Sequence, residues 1–251
     1  MDLYFIIAGA VVGFIVGLTG VGGGSLMTPL LVLGFNIQPA IAVGTDLLYA
    51  AITKSGGLWS HHKLHNIDWS IVKNLAKGSI PSTIIAVIAI NYFEISNDTF
   101  EQLVSVTLGF MLIVTSATII FKKQLSRFQS NREPSQILII SIGTVLGVLV
   151  TLTSVGAGAI CSALLFILYP MMKTTRIVGT DIAHAVPLTA IAGFGHFQLG
   201  NVDYHLLISL IIGSLPAIYI GAKFGQKLPD GILKPFLALI LLVIGVKFSF
   251  Y

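Results

Sequence analysis

An internal duplication restricts this fold more than any other feature of the sequence. Leu18-Thr19-Gly20-Val21-Gly22-Gly23-Gly24 matches Leu152-Thr153-Ser154-Val155-Gly156-Ala157-Gly158 at an offset of 134 residues. Val43-Gly44-Thr45-Asp46 recurs as Val178-Gly179-Thr180-Asp181 at an offset of 135. At that offset His61 falls on His196, Asn66 on Asn201, Asp68 on Asp203, and Gly78-Ser79-Ile80-Pro81 on Gly213-Ser214-Leu215-Pro216. Matched blocks in one order, with a single-residue slip, mean that both parts fold alike. The polar stretch 122–134 separates them. Residues 1–121 form one repeat, 122–134 a basic linker, and 135–251 the second repeat.

Each repeat divides into five apolar stretches. In the first they run over 3–19, 25–34, 39–59, 69–91 and 100–121; in the second, over 135–153, 159–170, 177–196, 204–224 and 231–250. Only 10% of the residues are charged, and mean hydropathy is +0.94, whereas a soluble domain carries about 25% charge. Stretches such as Val104–Phe121 and Phe236–Phe250 suit a hydrocarbon layer ~30 Å thick. The sequence therefore predicts an all-α membrane protein of about ten helical segments, without a soluble domain. The second and seventh segments are short: Ser25–Gly34 reaches about 15 Å, half a bilayer. The N-terminus enters apolar sequence at Leu3 without a basic flank or cleavage site, and reads as a first span. Cys161 is the only cysteine, so no intramolecular disulfide can form. The net charge of +4 and a pI near 9.2 reflect basic loops; without a basic patch they do not point to nucleic acid.

Loop charge sets the expected topology. If every stretch reverses direction, one side collects Lys63, Lys122, Lys123, Arg127, Arg132, Lys173, Arg176, Lys223 and Lys227. The other side carries Asp2, Glu94, Asp98, Glu101 and Asp203, with no Lys or Arg in its loops. The basic side, including the linker 122–134, belongs in the cytoplasm, which puts both termini outside. Five is odd, so the halves insert in opposite senses as a 5+5 inverted repeat, an architecture of secondary transporters.

Gly20-Val21-Gly22-Gly23-Gly24-Ser25 exposes backbone N–H groups just before a short helix, whose first amides and dipole favour an anion. Unwound backbone at membrane depth is tolerated where it is buried or lines a cavity. Its second copy, Val155-Gly156-Ala157-Gly158, would converge on it. Close helix packing is the other reading of such glycines; it accounts well for scattered Gly9, Gly13 and Gly17. Asp46 lies seven residues past Pro39, about 10 Å into its helix, and Asp181 lies nearer the opposite end. Ionisable residues inside a span are costly. Each Asp either couples or gates protons, or accepts bonds from the adjacent unwound turn. Thr45, Thr180 and Ser25 supply hydroxyls near a ligand.

Lys54, Lys73 and Lys77 have no basic counterparts, the second half showing Thr189, Ile208 and Ile212. For Lys73 and Lys77 snorkelling explains the charge; Lys54, the deepest, is a ligand or a snorkelling residue. His61, His62 and His65 contain an i, i+4 pair, but lack the carboxylate or cysteine that would complete a zinc set; no metal is predicted. His184 and His196 read as hydrogen-bonded interior residues, and Pro81 and Pro216 as matched kinks.

The run Gly20-Val21-Gly22-Gly23-Gly24-Ser25-Leu26-Met27-Thr28-Pro29-Leu30-Leu31, followed by Ala42-Val43-Gly44-Thr45, resembles the TauE/SafE sulfite-exporter family over essentially the whole chain. The resemblance implies a permease of the bacterial inner membrane for a small sulfur-containing anion such as sulfite or an organosulfonate. It implies no enzyme activity and no cofactor; protons are a candidate coupling ion. Gly22, Gly23, Gly24, Thr45, Gly156, Gly158 and Thr180 carry over as motif positions. This chain departs from the family pattern at Ala157, where a glycine is expected, at Ala163, opposite Pro29, and at Asp46 and Asp181, where Ser more often follows Thr. Two other classes compete: a cation or metal permease using Asp46, Asp181 and the histidines, and an intramembrane lipid-phosphate hydrolase. The hydrolase reading lacks an intramembrane Arg to clamp phosphate.

Overall fold

A computed structural model describes residues 2–19, 24–92, 97–121, 124, 134–225 and 230–249. Ten helices account for nearly all of them. In the first repeat these are α1 (Leu3–Thr19), α2 (Gly24–Phe35), α3 (Pro39–Lys63), α4 (Trp69–Tyr92) and α5 (Asn97–Ile120). In the second they are α6 (Gln136–Thr153), α7 (Ala159–Leu168), α8 (Thr174–Gln198), α9 (Tyr204–Gly225) and α10 (Asp230–Ser249). The linker 122–134 lies almost wholly outside the described residues.

The helices start and stop where local chemistry dictates. Pro39 opens α3, where its missing N–H costs nothing. Ser135 caps α6 by accepting the Leu138 N–H at 3.2 Å. At its other end α6 stops on Ser154, in the left-handed region at φ 58°, and Gly156 (φ 113°) and Gly158 (φ 146°) carry the chain into α7. Polar turns extend two of the helices beyond their apolar stretches in ways that bear on the site. α3 runs on to Lys63, because His61 and His62 are tolerated in a last turn, where cations suit the dipole. α8 begins at Thr174, so polar Thr174, Thr175 and Arg176 form its first turn. Asp181 is therefore seven residues into α8, as deep as Asp46 is in α3, and not nearer its helix end as the apolar stretch alone implied.

Glycines set how the helices cross. A Cβ at Gly9, Gly13 or Gly17 of α1 would strike Leu210, Ser214 or Ile218 of α9. Positions on both helices rise together, so α1 and α9 run parallel. α4 and α6 do the same, with Gly78 against Ile140 and Thr144, Gly143 against Leu75, and Gly147 against Ser79 and Ser82. The motif helices behave differently. Gly44 of α3 meets Asn201 and His196 just after and within α8, Gly193 meets Leu48, and Gly179 meets His61 and Asn66; α3 and α8 are antiparallel. So are α5 and α10, with Gly245 against Gly109 and Ile113, and Ala238 against Ser116.

The distribution of polarity is inverted relative to a water-soluble protein. Ile84, Ile85, Ile88, Phe110, Val145 and Tyr219 face outward, while Thr45, Asp46, Ser79, Thr180, Asp181, His184 and His196 are buried. Five helices are long and apolar enough to cross a bilayer: α4, Thr99–Ile120 within α5, α6, α8, and Tyr204–Phe224 within α9. Hydrocarbon can wet the outer faces, while the buried polar groups find partners inside.

Candidate functional site

Each intramembrane Asp ties the short helix of its own half to its motif helix. Thr28 Oγ1 of α2 donates to Asp46 Oδ2 at 2.6 Å; Ser162 Oγ of α7 donates to Asp181 Oδ2 at 2.8 Å. Thr28 and Ser162 are themselves related by the offset of 134, a signal present in the sequence but unread there. In both carboxylates Oδ1 is buried and makes no hydrogen bond. Two unbonded carboxylate oxygens at equivalent places are unusual, since burying a polar atom without a partner costs about 1–3 kcal/mol.

The Gly-Thr pairs serve a different contact. Asp203 N–H donates to Thr45 Oγ1 at 3.1 Å, and Asp68 N–H donates to Thr180 Oγ1 at 2.9 Å. A Cβ at Gly44 would collide with the Asn201 carbonyl, and one at Gly179 with the Asn66 carbonyl. Each motif helix is thus clasped by the turn preceding α4 or α9 of the other half. Both threonine hydroxyls are engaged there, not turned towards the carboxylates.

The glycine break of the second half is held from the first. Lys54 Nζ of α3 donates to the Ala157 carbonyl, between Gly156 and Gly158. The ammonium interacts through space with Asp181 and Asp46. Among the described residues the one ion pair lies elsewhere, between Arg176 and Asp68 at 2.9 Å, so Lys54 reaches both carboxylates by its field and touches neither. The buried Ser154 hydroxyl, also without a hydrogen bond, lies against Asp46. Lys54, Ser154, Asp46, Asp181, Gly156 and Gly158 therefore belong to one polar cluster. Ser25 is buried at the start of α2. Gly24 opens that helix, and Gly22 and Gly23 lie outside the described residues.

A family model described as "Sulfite exporter TauE/SafE" matches residues 5–248. The chain belongs to the TauE/SafE family. It is 40% identical over 254 residues to "Probable membrane transporter protein YjnA" of Bacillus subtilis (strain 168), covering 98% of this chain and 99% of that protein. It is 26% identical over 242 residues to "Probable membrane transporter protein YdhB" of the same organism, covering 95% and 96%. No solved structure matches. This TauE/SafE protein is accordingly a multi-pass membrane transporter and not an enzyme.

The remaining polar groups of the TauE/SafE transporter sort by position. His196 is buried, with Nε2 2.8 Å from the Thr151 carbonyl and Nδ1 3.5 Å from Asn201 Nδ2, which fixes a neutral ring with the proton on Nε2. His184 Nε2 lies 2.8 Å from Ser79 Oγ. His61 and His62 end α3, but His65 follows it at φ 54°. The helical i, i+4 geometry that a His61–His65 metal pair requires is therefore not formed. A cleft of about 700 Å³ opens beside the α2–α3 turn, lined by Asn36, Gln38, Glu101, Gln102 and Ser105 among others.

Proposed function

We propose that this TauE/SafE transporter is a secondary carrier moving a small sulfur-containing anion, such as sulfite or an organosulfonate, across the bacterial inner membrane. The observation that carries the reading is the second glycine break. Gly156 and Gly158 take backbone conformations that side chains rarely adopt, and they lead into α7, where the Cys161 and Ser162 N–H groups are bonded to the Gly156 and Gly158 carbonyls and the two amides before them are left as donors. Lys54 is bonded to the same turn, so a basic side chain accompanies the amide donors. Gly22, Gly23, Gly24 and Ser25 are the corresponding stretch of sequence in the first half. Thr45 and Thr180 hold the two motif helices against that centre through their clasps.

Antiparallel packing of the equivalent helices, α3 with α8 and α5 with α10, supports an inverted repeat. So does the pairing of α1 with α9 and α4 with α6, because exchanging the halves turns one pair into the other. With the basic loops in the cytoplasm both termini are outside, and the cleft beside the α2–α3 turn is an external vestibule. Asp46 and Asp181, each with an oxygen free to take a proton, are the coupling or gating groups. An anion that travels with a proton carries less charge through the low-dielectric centre. The same unbonded carboxylates favour a second reading, a cation permease.

Two experiments decide. Proteoliposomes with the purified protein are expected to take up radiolabelled sulfite and not divalent metal; metal flux without sulfite flux would replace the anion reading by the cation one. For topology, single cysteines at Ser126 and Ser96 on a Cys161→Ser background are probed in intact cells with an impermeant reagent. Labelling is expected at 96 and not at 126, and the reverse pattern would sink the orientation.

A further inference from the structure

The repeat allows the halves to be compared position by position, and they diverge at one buried site. Adding 135 to Tyr49 gives His184, and adding 135 to Ser79 gives Ser214. Both pairs meet in space: His184 Nε2 is 2.8 Å from Ser79 Oγ, and Tyr49 faces Ser214. The first contact joins α8 to α4 and the second joins α3 to α9, so each ties a motif helix to the opposite half. At the offset of 134, Met27 becomes Cys161, whose Sγ lies 4.0 Å from His184 Nδ1. Cys161 also lies against Asp181, one turn before His184 on α8. A line of Asp181, Cys161, His184 and Ser79 thus stands where the first half has Asp46, Met27, Tyr49 and Ser214.

We infer that the coupling proton is carried by the second half alone, on Asp181 and His184, with Cys161 between them and Ser79 holding the ring, while Asp46 is a fixed structural twin. This rests on the proton-coupled reading above and narrows it to one site. The geometry suits the role. Asp181 Oδ1 is buried without a hydrogen bond. The Ser79 hydroxyl both donates and accepts, so it keeps its bond to His184 whichever protonation state the ring adopts. An imidazole can take up and release a proton under conditions in which a phenol such as that of Tyr49 stays protonated.

The charges around the pair supply the link to substrate. α3 contributes Lys54, whose field reaches both His184 and Asp181, with Asp46 and His61 elsewhere along its length. α7 contributes Cys161, and α8 itself carries Asp181 and His196. From α4 comes the Ser79 hydroxyl, which is not ionisable; the Thr151 carbonyl of α6 faces His196. An anion settling on Lys54 places negative charge beside the pair, and negative charge favours proton uptake there. By linkage the bound proton then favours the anion equally.

The test transplants residues between equivalent positions. His184→Tyr installs the first-half residue, and Tyr49→His makes the converse change. In proteoliposomes, His184→Tyr is expected to lower pH-gradient-driven sulfite accumulation, relative to sulfite exchange, by about tenfold or more. Asp181→Asn should do the same, and Tyr49→His should leave that ratio near the wild-type value. His184→Gln serves as the second variant if tyrosine is not accommodated. An infrared difference spectrum of the reconstituted protein on a pH step needs no substrate. Its protonated-carboxyl band should vanish in Asp181→Asn, shift in His184→Gln and persist in Asp46→Asn. That band pattern without any wild-type sulfite flux removes the anion reading and leaves the proton pair standing. An unchanged accumulation ratio in both His184 variants, or a band lost in Asp46→Asn in place of Asp181→Asn, overturns the inference.

Discussion

Asp46 takes its hydrogen bond from Thr28, in a half where Met27 and Tyr49 hold the neighbouring repeat positions; Asp181 takes its bond from Ser162, where the same positions are Cys161 and His184. Among the positions that stay the same are those where a turn of one half clasps the motif helix of the other. Gly44 and Gly179 lie against carbonyls of Asn201 and Asn66, and the hydroxyls of Thr45 and Thr180 each accept one N–H. The positions that diverge are side chains that fill the same buried space with different chemistry. Asp68 and Asp203 show the same division. Both present their N–H to a threonine, but only Asp68 has an arginine beside it, because the residue equivalent to Arg176 is Ile41. A duplicated membrane fold can therefore keep its clasps fixed while one half acquires charge or titratable groups.

The largest expected effects fall on the shared positions and should be equal in the two halves. Gly44→Val and Gly179→Val each push side-chain carbon into a carbonyl of another segment, an overpacking cost of about 1–3 kcal/mol or more. Both variants are expected to lose most of their monodisperse protein on size-exclusion chromatography. Survival of one and loss of the other would break the equivalence of the clasps.

A smaller effect concerns the glycine breaks. Gly158→Val forces a β-branched residue into φ 146°, and Gly24→Val is the change at the equivalent position of the first half. Each is expected to weaken sulfite binding about tenfold or more, from one lost charge-assisted hydrogen bond worth ~1.5–3 kcal/mol. Ala157→Gly should be tolerated. Equilibrium binding with thermal stability in parallel checks this. If only one of the valine variants binds weakly, the anion sits on one break; unchanged affinity in both folded variants would return the glycines to packing alone.

The smallest effect belongs to the asymmetric ion pair. Arg176→Gln removes a contact whose arginine side chain is 49% exposed, so thermal unfolding should shift by no more than about 1 kcal/mol. A larger loss would mean that the pair, and not the Thr180 clasp, holds α8 to the turn before α4.

Much of the architecture could be read from residue order. Hydropathy placed all ten helices, and their ends moved by a few residues where polar first or last turns, such as Thr174–Arg176 and His61–Lys63, escape an apolar criterion. The offset between the halves gave the equivalence of Gly44 with Gly179 and Asp46 with Asp181. It also contained Thr28 and Ser162, but a hydroxyl eighteen or nineteen residues before an Asp has no meaning until α2 and α7 fold back on α3 and α8. Lys54 was singled out for lacking a counterpart, though not for what it binds.

What the sequence determined by itself is local: where helices begin and end, which segments are too short to span, where glycines interrupt them, and that everything occurs twice. Helix propensity, hydropathy and caps act over a few turns, so one strand of text carries them. Only the tertiary structure decided that Thr45 accepts an N–H from Asp203, 158 residues away, that Lys54 holds the Ala157 carbonyl across 103 residues, and that His184 meets Ser79 across 105. Those partners belong to opposite halves. Two copies of one pattern say that the halves are alike and leave open which helix of one packs on which helix of the other; glycine-mediated close approach of the backbones makes that choice, because it alone fixes which polar groups come within hydrogen-bond reach.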